Sequence, residues 1–250
     1  MAVQTVFKRY ELKYLLTLEQ KEKILAAMLP YMQIDKYGRT TIRNIYFDTD
    51  NYRIIRHSIE KPTYKEKLRI RSYDQATPDT RVFVELKKKY DKVVYKRRLP
   101  LKEEEAMEWL CTAYKAPVNT QISREIDYFI NFYGNLKPTV FLSYEREAYY
   151  DKGGGDFRVT FDDTILCRQT DLSLCSPAYG TPILPEGYVL MELKCSGGIP
   201  LWMVEVLSRE HIYKTSFSKY GTAYSTLIFP ELYLRKQMKN KEIITNEHII

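Results

Sequence analysis

Between Tyr64 and Ser72 a cation stands at every second position: Lys65, Lys67, Arg69 and Arg71, separated by Glu66, Leu68 and Ile70. An extended strand sends successive side chains to opposite faces. As a strand, this segment therefore carries four positive charges in one row, about 6.6–7 Å apart. Leu68 and Ile70 on the reverse face need an apolar partner. A row of like charges suits a polyanion and is costly without one.

The same period recurs elsewhere. Segments 6–14, 40–48, 81–89, 93–99, 139–149, 156–163 and 188–195 also read as strands. Their charged rows are Arg9, Glu11 and Lys13; Glu85, Lys87 and Lys89; Tyr144, Arg146 and Ala148; Arg158, Thr160 and Asp162; and Glu192 with Lys194. The opposite parity is largely apolar: Leu12, Val82, Val84, Leu86, Val159, Phe161, Met191 and Leu193. Any one row could be the solvated face of a half-exposed strand. Six such rows in one chain favour an enclosed, charged interior.

Helices are expected between the strands. Thr17 opens T-L-E-Q, a capping-box pattern, with helix to about Met28 and Pro30 beyond. Residues 101–114 place Ala106, Trp109, Leu110 and Ala113 on one face. Residues 123–133 do the same with Ile126, Phe129, Ile130 and Tyr133, and Gly134 is a natural stop. Residues 199–212, with Pro200 in the first turn, and 216–229 complete the set. The expected fold is α+β: a closed antiparallel eight-stranded β-barrel with helices packed outside, one domain over residues 1–235 and a tail over 236–250.

The 250 residues are 44% hydrophobic, enough for a sizeable core, and the net charge is +7. That balance points to an anionic partner: nucleic acid, a membrane surface or a phosphorylated molecule. Four cysteines without a C-x-x-C pair and three histidines argue against a zinc site. The N-terminus lacks a signal-peptide core and no apolar run approaches a membrane span, so a cytoplasmic setting with free thiols is expected. A membrane-associated partner is compatible with this.

Acidic residues among the basic rows fit a wet cavity that binds phosphates with a divalent cation, Mg²⁺ or Mn²⁺. Phosphoryl transfer needs positioning and charge stabilisation more than a protein nucleophile. No G-x-x-x-x-G-K-[ST] loop is present. Gly153-Gly154-Gly155 reads as a hairpin turn. Gly197-Gly198 reads as a turn or an anion nest. Ser218-Lys219 reads as a helix cap with a solvated lysine or as a phosphate contact.

The ordered set F-K-R-Y-E-L-K-Y, N-I-Y-F-D-T, K-L-R-I-R-S-Y, V-F-V-E-L-K, S-Y-E-R-E-A-Y, F-R-V-T-F-D, V-L-M-E-L-K and F-S-K-Y resembles the VTC domain, from about Phe7 to Phe229. This is the polyphosphate polymerase domain of the vacuolar transporter chaperone complex, within the triphosphate tunnel metalloenzymes. The resemblance implies an antiparallel barrel around a charged tunnel, and transfer of the ATP γ-phosphate onto polyphosphate with Mn²⁺ or Mg²⁺. It implies catalytic roles for Lys13, Arg69, Arg71, Lys87, Arg146, Arg158 and Lys219. Lys67, Lys194 and Ser218 are further phosphate-binding candidates. Glu192 matches the metal-binding glutamate, and Glu85 and Glu11 are the other acidic candidates. Triphosphatase and cyclase relatives open with E-x-E-x-K, whereas this chain has Arg9-x-Glu11-x-Lys13, which suits the polymerase branch better. The alternatives are a triphosphatase with the same tunnel and a non-catalytic polyphosphate binder. Nucleic acid is the weakest reading, because inward-facing cations in a closed tunnel exclude a duplex.

Overall fold

The computed structural model describes residues 6–91, 93–112, 115–235 and 237–238, with side chains from residue 10 onward. The Arg9 side chain, the helix-face position Ala113 and the expected tail beyond 238 lie outside the described residues.

The period-two segments all form strands. In chain order they are β1 (Val6–Thr17), β2 (Met32–Asp48), β3 (Tyr64–Tyr73), β4 (Arg81–Tyr90), β5 (Val93–Lys102), β6 (Lys137–Asp151), β7 (Arg158–Arg168), β8 (Thr181–Pro182), β9 (Tyr188–Cys195) and β10 (Lys214–Thr215). Among the described residues the expected count of eight is corrected to ten. The two additions, β8 and β10, are two residues long, too short to show any alternation. All ladders are antiparallel. The order is β10-β1-β5-β4-β3-β2-β6-β7-β8, and β9 pairs with both β1 and β7. Gly153–Gly155 lies in the tight β6–β7 connection, where Asp151 accepts from the Gly153 and Gly155 amides.

Among the described residues six α-helices accompany the strands: α1 (Leu18–Met28), α2 (Arg53–Ile59), α3 (Glu103–Thr112), α4 (Gln121–Tyr133), α5 (Leu201–Arg209) and, after the last strand, α6 (Lys219–Ala223), which continues into a π-helical turn, Tyr224–Ile228. The Thr17 hydroxyl accepts from the Gln20 amide at 3.2 Å and the Gln20 side chain accepts from the Thr17 amide at 3.1 Å, the expected capping box. Gly134 ends α4 at φ 60, a conformation that costs a Cβ-bearing residue more than glycine. No described helix is long and apolar enough to cross a membrane.

The helices decide which way the charged rows face. Leu68, Ile70, Val84 and Leu86 pack with Trp109 of α3 and Ile126 and Phe129 of α4. Val159, Phe161, Met191 and Leu193 pack with Ile24 and Met28 of α1 and Met203 and Val206 of α5. Each such side chain contributes about 1.5–3 kcal/mol on burial. With the apolar parity covered by helices, strand alternation turns the charged parity to the other side of the sheet.

Candidate active site

The charged rows meet around one cavity of ≈ 1300 Å³. Lys13 and Glu11 reach it from β1, Lys65, Lys67, Arg69 and Arg71 from β3, and Lys87 and Lys89 from β4. Arg146 comes from β6, Arg158 from β7, Glu192 and Lys194 from β9, and Ser218 and Lys219 from the start of α6. Lys96 and Arg98 of β5 also line it and were not singled out in the sequence. Their signal was present: in the β4–β5 ladder Lys96 stands opposite Lys87 and Arg98 opposite Glu85. Among the described residues fifteen basic side chains line the cavity against five acidic ones.

Arg69, Arg71 and Arg146 are fixed in place. Arg69 donates through Nε and Nη2 to Glu85 Oε2 at 2.9 and 2.6 Å, and through Nη1 to the Tyr46 hydroxyl at 2.8 Å. Arg71 donates to Asn44 Oδ1 and the Tyr144 hydroxyl, both at 2.9 Å. Arg146 grips Asp162 with two bonds, at 2.6 and 2.7 Å, the bidentate geometry that orients a guanidinium. Lys219 donates to the same carboxylate at 2.5 Å. Burial lowers the Lys219 pKa, but Asp162 and Glu192 outweigh it and leave the value raised.

Glu85, expected beside Glu192 as a metal ligand, is placed otherwise. It is fully buried and does not line the cavity. Burial raises its pKa, but Lys96, Arg71, Arg69 and Arg98 together hold the carboxyl well below the usual carboxylate range. Glu192 does line the cavity. Lys194 lies 3.0 Å from it, Lys13 3.5 Å, Lys219 3.7 Å and Arg146 3.8 Å. Those cations overcome burial and keep Glu192 ionised. Glu11 pairs with Lys87 at 2.6 Å, which overcomes burial to bring its pKa to about 2.

Several lysines are less well compensated. Lys67 donates to Ser218 Oγ at 2.9 Å, and among the described residues meets no carboxylate. Burial and then Lys13, Lys87, Lys65 and Arg69 drive its pKa well down. Burial brings Lys194 to about 7 despite Glu192, and Lys96 to about 6 despite Glu85. Lys13 donates to the Phe217 carbonyl at 2.7 Å. Ser218 also accepts from the Gly221 amide, so it caps α6 and holds Lys67 together. Arg158 is exposed at the cavity edge.

A hard divalent cation needs oxygen donors. Among the described residues no group of three acidic, histidine or cysteine side chains forms a ready cage. Glu192 and Glu11 face the same cavity and act on each other electrostatically. This donor set fits a metal that arrives with phosphate oxygens, because the cations around Glu192 oppose one that arrives alone.

The same architecture occurs in solved structures. A putative adenylate cyclase from Bacillus halodurans is 18% identical, with 86% of this chain and 96% of that chain covered and a TM-score of 0.55. A putative adenylyl cyclase from Hippeastrum, described as having a dominant triphosphatase activity, is 16% identical, with 87% and 95% covered and a TM-score of 0.54. Identities this low speak to the fold alone, an antiparallel-sheet-dominated α+β architecture whose relatives are of the triphosphate tunnel type. No curated protein matches. The VTC domain family matches residues 8–228. That span holds every residue lining the cavity, from Tyr10 to Thr226: the chain belongs to the VTC domain family.

Proposed function

We propose that the protein is a metal-dependent polyphosphate polymerase, moving the γ-phosphoryl group of ATP onto a polyphosphate chain held in the cavity. We also infer that the β1–β9 and β7–β9 ladders carry the sheet round into the tunnel that the family resemblance implies. The observation that carries the reading is the excess of basic side chains around the cavity, fifteen against five acidic ones among the described residues. Like charges held together in a half-buried site are costly until a polyanion occupies it.

In the reaction a terminal oxygen of the polyphosphate chain attacks the γ-phosphorus. The new P–O bond forms as the bond to the β-phosphate bridging oxygen breaks, and ADP leaves with the negative charge. Arg69, Arg71 and Arg146, already fixed by Glu85, Asn44, Tyr144 and Asp162, meet that charge without reorganising. Lys67, Lys13, Lys87 and Lys219 hold neighbouring phosphates in line, and no covalent protein intermediate is needed. Glu192, with Glu11 lining the same cavity, would hold Mn²⁺ or Mg²⁺, which would supply charge neutralisation on the phosphates when bound.

A triphosphatase would use the same cavity with water as acceptor, and the activity described for the Hippeastrum relative favours keeping that reading. Incubation with ATP and Mn²⁺, with and without a short polyphosphate primer, separates the two on a gel. Long polymer with ADP supports the polymerase. Orthophosphate without polymer moves the assignment to the triphosphatase. Tight polyphosphate binding without either product makes the protein a binder.

A further inference from the structure

We propose that Glu85 is a positioning residue: a carboxylate sealed behind the cavity wall that sets the arginines of β3 and β5 for phosphate and takes no part in metal binding. The proposal rests on the phosphate-binding reading of the cavity. It reassigns a residue whose sequence setting, Glu-Leu-Lys, is the same as that of Glu192.

Geometry divides the carboxylate cleanly. Oε2 accepts from Arg69, through Nε at 2.9 Å and Nη2 at 2.6 Å. Oε1 accepts from Arg98 Nε at 2.7 Å, with Arg98 Nη2 at 2.5 Å and Lys96 Nζ at 3.4 Å. One oxygen thus serves each guanidinium. Arg71 Nε lies 3.9 Å away. The residue has no exposure, so a metal could reach it only by displacing an arginine.

Each arginine has a second fixed point. Arg69 Nη1 donates to the Tyr46 hydroxyl at 2.8 Å, and Arg98 Nη2 to the Tyr73 hydroxyl at 3.2 Å. Arg69 is thus anchored along one edge and at a further nitrogen, and Arg98 along one edge whose Nη2 is shared between Glu85 and Tyr73. An arginine usually gives up much rotamer freedom on gripping a ligand, and here that freedom is already removed. All four cations around Glu85 line the cavity, whereas Glu85 does not. The carboxylate therefore acts through its arginines, as an outer hydrogen-bond partner orients a metal ligand.

The test is calorimetric titration of the full chain with inorganic tripolyphosphate, first in EDTA and then with Mn²⁺. The affinity in EDTA reads the cation lattice; the gain on adding Mn²⁺ reads the metal site. For Glu85→Gln we expect affinity in EDTA to fall by about 30-fold or more, with the Mn²⁺ gain retained. For Glu192→Gln we expect the reverse: affinity in EDTA kept or improved, and the Mn²⁺ gain lost. A purely structural Glu85 would lower the melting temperature and leave the anion affinity of the folded variant intact. Wild-type affinity in folded Glu85→Gln, or loss of its Mn²⁺ gain, overturns the proposal. Should Glu85→Gln fail to fold, Glu85→Asp decides, because it keeps the charge and withdraws the oxygens by one methylene. Weakened binding in EDTA with the Mn²⁺ gain intact supports the role, and wild-type binding overturns it. Wild-type protein that binds no tripolyphosphate under either condition overturns the functional reading, and the Glu85 role with it.

Discussion

Two strands of this protein carry the same triplet, Glu85-Leu86-Lys87 on β4 and Glu192-Leu193-Lys194 on β9, and the fold puts them to different use. In both, the leucine is buried on the helix-covered side and the charges take the opposite parity. Cross-strand neighbours make the difference. Glu85 stands opposite Arg69 on one side and Arg98 on the other, two long forked side chains that fold over it. Glu192 stands opposite Lys13 and Thr160. A lysine and a short hydroxyl leave the carboxylate 8% exposed and facing the cavity. The lysines diverge as well: Lys87 crosses to Glu11, whereas Lys194 pairs with its own triplet's glutamate and donates to Thr160 Oγ1 at 2.8 Å. A motif thus gives the chemistry a residue can do, and the ladder gives the chemistry it is left free to do.

The largest expected effect separates the two glutamates by turnover. Glu192→Gln should lower metal-dependent turnover at saturating ATP by about 10²–10³-fold, the scale of losing a preorganised electrostatic group, and keep ATP binding. Full activity in this variant would remove the metal from Glu192. Next comes an attempt to make β9 resemble β4. Thr160→Arg supplies a cross-strand arginine, which Glu192 lacks, and should cut the Mn²⁺ stimulation of activity by about 10-fold. Undiminished stimulation would show that cross-strand neighbours do not set the difference.

A smaller effect concerns Lys67, which has neither triplet's compensation. Lys67→Met keeps the length and removes a buried amino group surrounded by cations. It should stabilise the ligand-free protein by about 1 kcal/mol in urea titration and weaken tripolyphosphate binding. Loss of stability would mean that Lys67 is compensated in a way its contacts do not reveal. The smallest effect is a proton. Lys194 sits at about 7 in the folded protein against 10.5 for a free lysine. Between those values the unfolded chain binds more protons, so this group's contribution makes stability rise with pH from about 7 to 10.5, and is flat below. Phosphates entering the cavity favour the charged form, so on binding tripolyphosphate at pH 8 the wild type should take up more protons than a Lys194→Met variant, and at pH 5.5 the two should differ little. Calorimetry in two buffers of different ionisation enthalpy reads that number directly.

Much of this organisation was legible because strand alternation is a strict constraint. Once Leu68, Ile70, Val84 and Leu86 need an apolar cover, Lys67, Arg69 and Lys87 must point the other way. The Thr17–Gln20 capping box was equally local. What escaped was set at a distance. Tyr52 enters helix α2 at φ 58 without a side-chain cap; the Arg53 amide donates to Thr49 Oγ1, and the next two, at Ile54 and Ile55, donate to the Asp48 carboxylate, which also accepts from the Tyr220 hydroxyl. The first half of β2, beyond the predicted 40–48, is mostly exposed and shifts register between Ile34 and Arg39, so it carries no clean alternation. The sealing of Glu85 depends on Arg98, a residue that reads as one of several cations until the β4–β5 register is known.

The most direct measurement is an anomalous difference map from crystals grown with tripolyphosphate and Mn²⁺. Expected is a manganese peak within about 2.2 Å of a Glu192 oxygen, with phosphate oxygens completing its shell and Glu85 still between Arg69 and Arg98. A peak on Glu85, or tripolyphosphate bound with manganese away from Glu192, would contradict the division of labour between the two triplets.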